Sequence, residues 1–211
     1  MKKKVRYHKM SNAVTVTTCA RHAHLSEAHM MALFGYPNPT PLTWLMQPGQ
    51  YAGHERIMLM GPTGKCLTAR VLGPSRSETQ IEISETDARF LGIEAPVRMS
   101  GDLGGSAAIT IAIEDGRRPT ELTQGVIISM PHIHMRPDDV PRPHSFTSDD
   151  FMWDGKEVAL YLPGPRPTII LAVLRVQENA VLEAHIDTDQ ANAASILSYS
   201  TGYFGDWHVN F

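Results

Sequence analysis

The sequence contains the pattern His-x-His twice, at His22 and His24 and again at His132 and His134. Alternate side chains of an extended strand point to the same side, so each pair would present two imidazoles on one face. Two neighbouring imidazoles can bind a single metal ion, and a further candidate ligand, His185, lies later in the chain. The sequence therefore predicts a scaffold that brings distant strands together around metal.

Composition excludes several classes of protein. The chain has 211 residues, of which 42% are hydrophobic, enough for one domain or two small ones. A net charge of -3 and a pI near 6.3 give no general attraction to nucleic acid or to an anionic membrane. No stretch approaches the ~20 apolar residues of a membrane span. Cys19 and Cys66 do not make a disulfide framework, so we expect a cytoplasmic protein. A flexible N-terminus is expected at residues 1–12.

Short strands separated by turn signals dominate the pattern of the chain. Strands are predicted at residues 13–20, 56–60, 66–72, 80–84, 107–113, 125–130, 157–162 and 168–176. Short helices are predicted at residues 26–35, 84–92 and 187–195, where capping residues flank them. There is no alternation of strand and helix typical of a parallel sheet. The prediction is a mainly β fold, as β-barrels or a sandwich with short helices at the ends.

Three further residues could bind a metal ion, bind an anion or act as a nucleophile. Glu82 lies in an otherwise apolar strand and could supply a carboxylate to zinc, although this pattern is commoner for a solvent-facing residue. Arg76 is predicted on a turn, where its guanidinium could bind phosphate or carboxylate, or simply be solvated. Cys19 is close enough to His22 to be a nucleophile, but its apolar strand favours a buried small side chain.

The residues alone leave the purpose of the metal open. Two histidines and a carboxylate also describe the open iron site of a metal-dependent hydrolase or a non-haem oxygenase. A closed zinc site would instead stabilise a non-catalytic binding module, which would unfold when the metal is removed. A catalytic zinc site keeps three protein ligands and one open position.

Seven segments occur in an order that is specific to one family. They are RHAHLS (21–26), QPGQYA (47–52), RVLGPSR (70–76), TQIEISETDA (79–88), LGIEAPVRMSGDL (91–103), HIHM (132–135) and HIDTDQANAA (185–194). Over residues 13–195 the chain resembles the phosphate propanoyltransferase of propanediol-utilising bacteria, a phosphotransacylase unrelated to the common housekeeping type. The resemblance implies reversible transfer of a short acyl group, such as propanoyl, between coenzyme A and phosphate. It also implies location in the cytoplasm or in the lumen of a bacterial microcompartment.

The resemblance implies an architecture of two β-barrels capped by short α-helices, in a homodimer. Residues 13–20 and 131–205 would form the first, discontinuous barrel, and residues 21–130 the second. Two zinc ions per chain would lie in a cleft between the barrels. The first would be held by His22, His24 and Glu82, and the second by His132, His134 and His185.

The resemblance also implies how the substrates bind. Arg76 matches the family's phosphate-binding arginine and is the predicted catalytic residue. Contacts to coenzyme A are implied at Thr18, Cys19, Ala20, Arg70 and Asn192. Direct attack of phosphate in a ternary complex is the expected route, because no nucleophile–base pair is evident, and an acyl-enzyme at Cys19 is the rival route.

The chain departs from the family pattern at positions that are not implied metal ligands. Pro131 replaces the usual arginine before the second histidine pair, and Thr63 replaces a common lysine, whose role Lys65 could take. Around the last motif, Ala184 and Gln190 replace methionine and glutamate. These differences bear on acyl-group and coenzyme specificity more than on the metal chemistry.

Overall fold

The computed structural model describes residues 12–140 and 153–205. The flexible segment predicted at residues 1–12 lies outside the described residues, apart from Asn12. The strands are β1 (Asn12–Cys19), β2 (His22–Ser26), β3 (Pro41–Trp44), β4 (Tyr51–Met60), β5 (Cys66–Arg76), β6 (Gln80–Ile83), β7 (Val97–Arg98), β8 (Ala107–Ile113), β9 (Thr120–Ser129), β10 (His132–Met135), β11 (Glu157–Leu162), β12 (Thr168–Val176), β13 (Glu183–Asp187) and β14 (Ser200–Gly205). The α-helices are α1 (Glu27–Phe34), α2 (Glu85–Leu91) and α3 (Thr188–Ala194). The mainly β prediction is confirmed.

The chain divides into two compact units. Unit 1 takes its described residues from Met1–Thr18, Pro131–Ile186 and Gln190–Phe211. Unit 2 comprises Cys19–Met130 with Asp187–Asp189. Each unit has its own core of buried aliphatic side chains, so each buries its apolar surface by itself.

Unit 1 contains a closed barrel of six strands in the order β1-β13-β10-β12-β11-β14. The N-terminal strand closes it, because β1 pairs with β14 in an antiparallel register that sets Asn12 opposite Phe204. The inward side chains include Val16, Ile133 and Phe204, all fully buried. The expected barrel architecture is confirmed for this unit.

Unit 2 contains an eight-stranded sheet in the order β3-β4-β5-β2-β6-β9-β7, with β8 off this path. Since β8 pairs with both β4 and β9, the pairings of β4, β5, β2, β6, β9 and β8 form a circuit. Leu25, Ile57 and Val71 are fully buried in its core. The unit is β-rich as expected, and a second closed barrel stays a prediction.

The short helices begin and end where the capping residues predict. The side chain of Ser26 accepts a hydrogen bond from the His29 backbone N–H, and α1 ends at Gly35 with a φ of 87°. A capping box between Ser84 and Asp87 begins α2, and Gly92 ends it. None of the helices in the described ranges has both the length and the apolar character needed to cross a bilayer.

Several strand boundaries differ from the sequence prediction. Arg76 was expected on a turn, but it is the last residue of β5 and pairs with Ser26. The register of the β2–β5 pairing shifts between His24 and Ser26, where β5 carries two extra residues, so β5 continues past Leu72 to Arg76. β3 was not predicted, since its proline-rich surroundings do not indicate a strand; it pairs only with β4, and proline is tolerated in such an edge strand. β14 was also missed, and β4 begins at Tyr51 rather than at Arg56.

The barrel core predicts a large effect of truncating its most buried aromatic side chain. Phe204 is 0% exposed, so Phe204→Ala should lower the free energy of unfolding by about 3–5 kcal/mol through lost transfer energy and a residual cavity. Leu171, 55% exposed, provides the control, since Leu171→Ala should change this energy by less than about 0.5 kcal/mol. Chemical denaturation measures both, and equal effects would contradict the assignment of the core.

Candidate metal centres

The first cluster of candidate ligands lies on unit 2, where β2 runs between β5 and β6. β2 is parallel to β5 and antiparallel to β6, and the register sets His22 opposite Glu82 and His24 opposite Gln80. One ligand atom from each of His22, His24 and Glu82 lies within 4.8 Å of the others, and all three residues are buried. The structure thus brings together three residues that the sequence singled out. The solvent-facing position that the pattern favoured for Glu82 is wrong.

Hydrogen bonds determine which nitrogens of these histidines are available. Nδ1 of His22 lies 2.9 Å from the carbonyl oxygen of Ala20, which can only accept, so Nδ1 carries a hydrogen and Nε2 faces the site. Nε2 of His22 lies 3.6 Å from Oε2 of Glu82. Nε2 of His24 lies 2.9 Å from Nη2 of Arg76, so this nitrogen accepts and is unprotonated. To bind a metal ion, His22 would have to lose the proton on Nε2, and Nε2 of His24 would have to exchange its hydrogen bond with Arg76 for the metal.

Protonation of this cluster is governed by burial and by the opposite charges within it. Burial alone would lower the pKa of His22, but the carboxylate of Glu82 outweighs it and raises that pKa to about 9. Burial would raise the pKa of Glu82, but His22 holds it well below its usual range. Burial, His22 and Arg76 together lower the pKa of His24 well below its usual value. Without metal, the cluster is an ion pair beside a neutral imidazole.

A network of neutral side chains connects Arg76 to the carboxylate. Nη1 of Arg76 donates to Oγ of Ser100 at 3.1 Å, and Nε2 of Gln80 donates to the same oxygen at 2.7 Å. Gln80 also donates to Oε1 of Glu82 at 2.5 Å. Gln80 and Ser100 were not predicted from the sequence as site residues. The position of Gln80 two residues before Glu82 in a strand was the available signal.

The second cluster lies on the barrel of unit 1, where β10 runs between β12 and β13. β10 is parallel to β12 and antiparallel to β13, and the register sets His132 opposite His185. Ring centroids of His132, His134 and His185 are 4.8, 5.0 and 4.9 Å apart, and one nitrogen from each lies within 4.8 Å of the others. The three histidines named from the sequence therefore meet on one face of the barrel.

The second cluster fits a metal ion by two observations. Nδ1 of His134 is a buried polar atom with no hydrogen-bond partner among the described residues, a costly state that a bound cation would relieve. Burial, aided by the neighbouring histidines, lowers the pKa of His134 to about 2, so the ring is neutral as a metal ligand must be. Three neutral imidazoles are a donor set that zinc accepts.

The residues implied in coenzyme A binding are divided between the two units. In unit 1, Thr18 donates its backbone N–H to Ser198 Oγ at 3.1 Å, while its own Oγ1 is buried without a partner in the described structure. Asn192 is exposed on α3. In unit 2, Cys19 is half-buried, contrary to the core position that its strand suggested, and Ala20 is exposed. Nη1 of Arg70 donates to the carbonyl of Gly53 at 2.7 Å.

Comparisons with known proteins show which family has a similar sequence. A family model described as phosphate propanoyltransferase matches residues 15–197. A phosphate propanoyltransferase of Alkaliphilus metalliredigens is 43% identical over 191 residues, which cover 90% of this chain and 86% of that protein. That of Thermotoga maritima is 43% identical over 187 residues, covering 87% and 84%. That of Rhodobacter capsulatus is 44% identical over 182 residues, covering 85% and 80%.

The neutral state of His134 predicts an acid-sensitive metal-free protein. Its pKa is about 2 in the folded chain against an ordinary 6.5, so between these values only the unfolded chain binds this proton. Stability therefore falls as pH falls below 6.5, by up to about 1.4 kcal/mol per pH unit from this group. His134→Gln should give a shallower fall between about pH 6 and pH 4 in denaturation with chelator present.

Leu171, an exposed side chain that binds no proton, supplies the control. Leu171→Ala should leave the slope of unfolding free energy against pH unchanged. A slope that is the same in His134→Gln and in the unsubstituted protein would contradict the assignment of His134 as a buried neutral ring.

Proposed function

The chain belongs to the phosphate propanoyltransferase family, and from that premise we propose that it is a zinc-dependent phosphate acyltransferase acting on short-chain acyl-coenzyme A. The observation that carries the proposal is that each His-x-His strand pairs with a strand bearing a third metal-ligand side chain, Glu82 or His185. An arginine hydrogen-bonded to one of these clusters supports phosphate as the second substrate. Propanoyl is the acyl group that the relatives' name indicates.

The proposed reaction is acyl-coenzyme A plus phosphate giving acyl phosphate plus coenzyme A. A phosphate oxygen forms a bond to the acyl carbon while the carbon–sulfur bond breaks, and the thiolate departs and takes up a proton. Phosphate is a poor nucleophile in water because it is heavily solvated. The residues of the site must therefore desolvate it and hold it against the thioester, which converts a bimolecular encounter into a positioned step.

Arg76 is the residue that we propose binds and orients phosphate. A guanidinium has five N–H donors in a fixed fork that matches two phosphate oxygens, so it can bind the anion while its Nη1 still donates to Ser100. Its hydrogen bond to Nε2 of His24 would be given up where that nitrogen binds zinc, because the neutral ring has a single lone pair. The link from Ser100 through Gln80 to Glu82 ties the orientation of Arg76 to the carboxylate. Phosphate bound to Arg76 would lie beside this cluster.

The proposed zinc ligands are the six residues of the two clusters. They are His22, His24 and Glu82 in unit 2, and His132, His134 and His185 in unit 1. Zinc bound there supplies a Lewis acid that can polarise a carbonyl or stabilise an oxyanion or thiolate. The chain contributes buried, preformed donors, whose positions are fixed by the strand register.

The remaining assignments of the proposal concern binding and location. We place contacts to coenzyme A at Thr18, Cys19, Ala20, Arg70 and Asn192. The unpartnered Oγ1 of Thr18 supports this, since a ligand could supply its missing hydrogen bond.

A homodimer with two barrels per chain, in the cytoplasm or in a microcompartment lumen, completes the proposal. The exposed Leu42 and Trp44 on the edge strand β3 are compatible with a subunit contact.

Phosphate-dependent release of free thiol is the test of the proposed activity. The purified protein should release thiol from acetyl-, propanoyl- or butanoyl-coenzyme A only when phosphate is present. Removal of metal with a chelator, or His134→Ala, should lower the rate by more than about 100-fold because a ligand of the second cluster is lost. His54→Ala, on an exposed histidine, should leave the rate unchanged.

The same samples separate the other functions. Thiol release without phosphate would indicate a hydrolase, and iron in the protein with oxygen consumption would indicate an oxygenase. No thiol release, with unfolding on metal removal, would indicate a structural zinc module. Loss of activity in Cys19→Ser with zinc still bound would favour an acyl-enzyme over direct attack by phosphate.

Arg76 predicts a specific effect on phosphate binding. Arg76→Gln removes charge-assisted hydrogen bonds of about 1.5–3 kcal/mol, so the KM for phosphate should rise by roughly 10- to 100-fold. Arg76→Lys should recover only part of the loss, since an ammonium cannot bind phosphate through two fixed N–H groups. Steady-state kinetics with each substrate varied in turn measures both.

Arg117 is exposed, pairs with Asp115 and serves as the control. Arg117→Gln should leave both KM values unchanged. If Arg76→Gln raised the KM for acyl-coenzyme A and not that for phosphate, Arg76 would serve the coenzyme, and this part of the proposal would be wrong.

A further inference from the structure

We propose that the loop at residues 36–40, which we call the proline loop, positions Arg76, and that Asn38 and Ser75 are the positioning residues through which it acts. This inference rests on the proposed role of Arg76 in binding phosphate. The loop lies between α1 and β3 and belongs to unit 2. None of its residues is a candidate metal ligand in the described structure.

The strand that ends at Arg76 is irregular just before this residue. Between Leu72, which lies opposite His24, and Arg76, β5 has two residues more than the β2 segment beside it. On the other side of β5, the described pairing with β4 ends at Gly73. Bulges of this kind re-aim the side chains next to them, so the direction of Arg76 depends on what holds residues 74 and 75.

The proline loop holds the bulged stretch through two hydrogen bonds from Ser75. The backbone N–H of Ser75 donates to Oδ1 of Asn38 at 3.0 Å. The Oγ of Ser75 donates to the carbonyl oxygen of Pro37 at 2.6 Å. Since Ser75 directly precedes Arg76 in the chain, these two bonds determine the point from which the arginine side chain extends.

The far end of Arg76 is held separately, by Ser100 and His24. A guanidinium binds two phosphate oxygens only in one orientation of its plane, so the backbone end and the far end both matter. If zinc takes the place of Arg76 at Nε2 of His24, the far end keeps its bond to Ser100 and loses the other. The hold at the backbone end then becomes more important.

The sequence makes the proline loop rigid. Its three residues that are not proline, Tyr36, Asn38 and Thr40, are each followed by a proline. A residue before proline is confined to extended conformations, and proline itself has a fixed φ. The side chain of Asn38 is therefore presented to Ser75 by a backbone with few alternative conformations.

Two side chains of β4 anchor the loop. Glu55 is 7% exposed and accepts hydrogen bonds from the Tyr36 hydroxyl at 2.8 Å and from the Thr40 backbone N–H at 2.9 Å. Burial opposes the charge of Glu55, but the donors of Thr40 and Tyr36 outweigh it and lower the pKa of this carboxyl. The Tyr51 hydroxyl donates to the carbonyl oxygen of Pro39 at 3.0 Å. The loop is thus bonded to β4 as well as to β5.

Glycine at two positions permits the close approach of these parts. A Cβ at Gly73 would overlap the ring of Tyr51. A Cβ at Gly53 would lie 2.8 Å from Oε2 of Glu55 and 2.8 Å from Cβ of Pro39. The loop, β4 and the bulged end of β5 are therefore in direct contact, with no room for a further side chain between them.

Steady-state kinetics with each substrate varied in turn separates positioning of Arg76 from a purely structural role. Ser75→Ala removes the hydroxyl that binds the loop, and the KM for inorganic phosphate should rise about 2- to 10-fold. The kcat and the KM for acyl-coenzyme A should not change, since only phosphate binding is affected. Ser75→Thr keeps the hydroxyl and should restore the KM. Asn38→Ala, at an exposed position, removes the other acceptor group and should act like Ser75→Ala.

A double variant tests whether the loop acts through Arg76. Asn38→Ala combined with Arg76→Gln should raise the KM for phosphate no further than Arg76→Gln alone, because the group that Asn38 positions is already absent. Increases that multiply would show that the loop acts independently of Arg76 and would overturn the inference. Met31, 50% exposed on the neighbouring helix α1, supplies the control, and Met31→Ala should leave both KM values unchanged.

The outcomes distinguish failure of this inference from failure of the proposed function. Unsubstituted protein without phosphate-dependent thiol release, or an unchanged KM for phosphate in Arg76→Gln, would overturn both. If Arg76→Gln raised this KM while Ser75→Ala and Asn38→Ala did not, only the role of the loop would be wrong. A lower unfolding temperature in these two variants, with unchanged kinetics, would likewise reduce the loop to a structural element.

Discussion

The backbone hydrogen bonds between each His-x-His strand and its antiparallel neighbour determine the chemistry of both centres. They set His22 opposite Glu82 and His132 opposite His185. A shift of one residue would turn every candidate ligand of a strand to the opposite face. The register is held because the intervening residues, such as Ala23 and Ile133, are fully buried in the two cores. The apolar core thus positions the polar centres, although it contributes no atom to them.

The buried imidazoles of the two clusters differ in their protonation state. Unit 2 accepts a proton on His22, since Glu82 supplies the compensating charge. Unit 1 keeps His134 neutral and leaves its Nδ1 unpartnered among the described residues. A metal ion bound in unit 2 would have to displace that proton, whereas His134 would offer it a neutral ring. The same motif on the same strand arrangement therefore gives two sites with different responses to pH.

Local sequence patterns predicted the secondary-structure elements and the candidate ligands that cluster together better than they predicted the contacts around them. The caps at Ser26 and Ser84 act within one helical turn, so the sequence shows them directly. The burial of Glu82 depends on its pairing with His22, 60 residues earlier in the chain, and no local sequence pattern predicts that burial. The contacts of Gln80 have the same origin, although Gln80 stands two residues before Glu82 on the same face of β6. The family resemblance implied two candidate ligand sets, and the structure brings the members of each set together.

The placement of β1 has a consequence for how the protein is made. β1 closes the barrel of unit 1 by pairing with β14, and the paired residues Asn12 and Phe204 are about 190 residues apart in the chain. A ribosome releases β1 long before it releases its partners, and unit 2 is synthesised in between. The contact order of the barrel is high, which is typical of slow closure. Until translation reaches β13 and β14, the nascent chain carries β1 without either of its partner strands, and chaperones or neighbouring chains can capture such a strand.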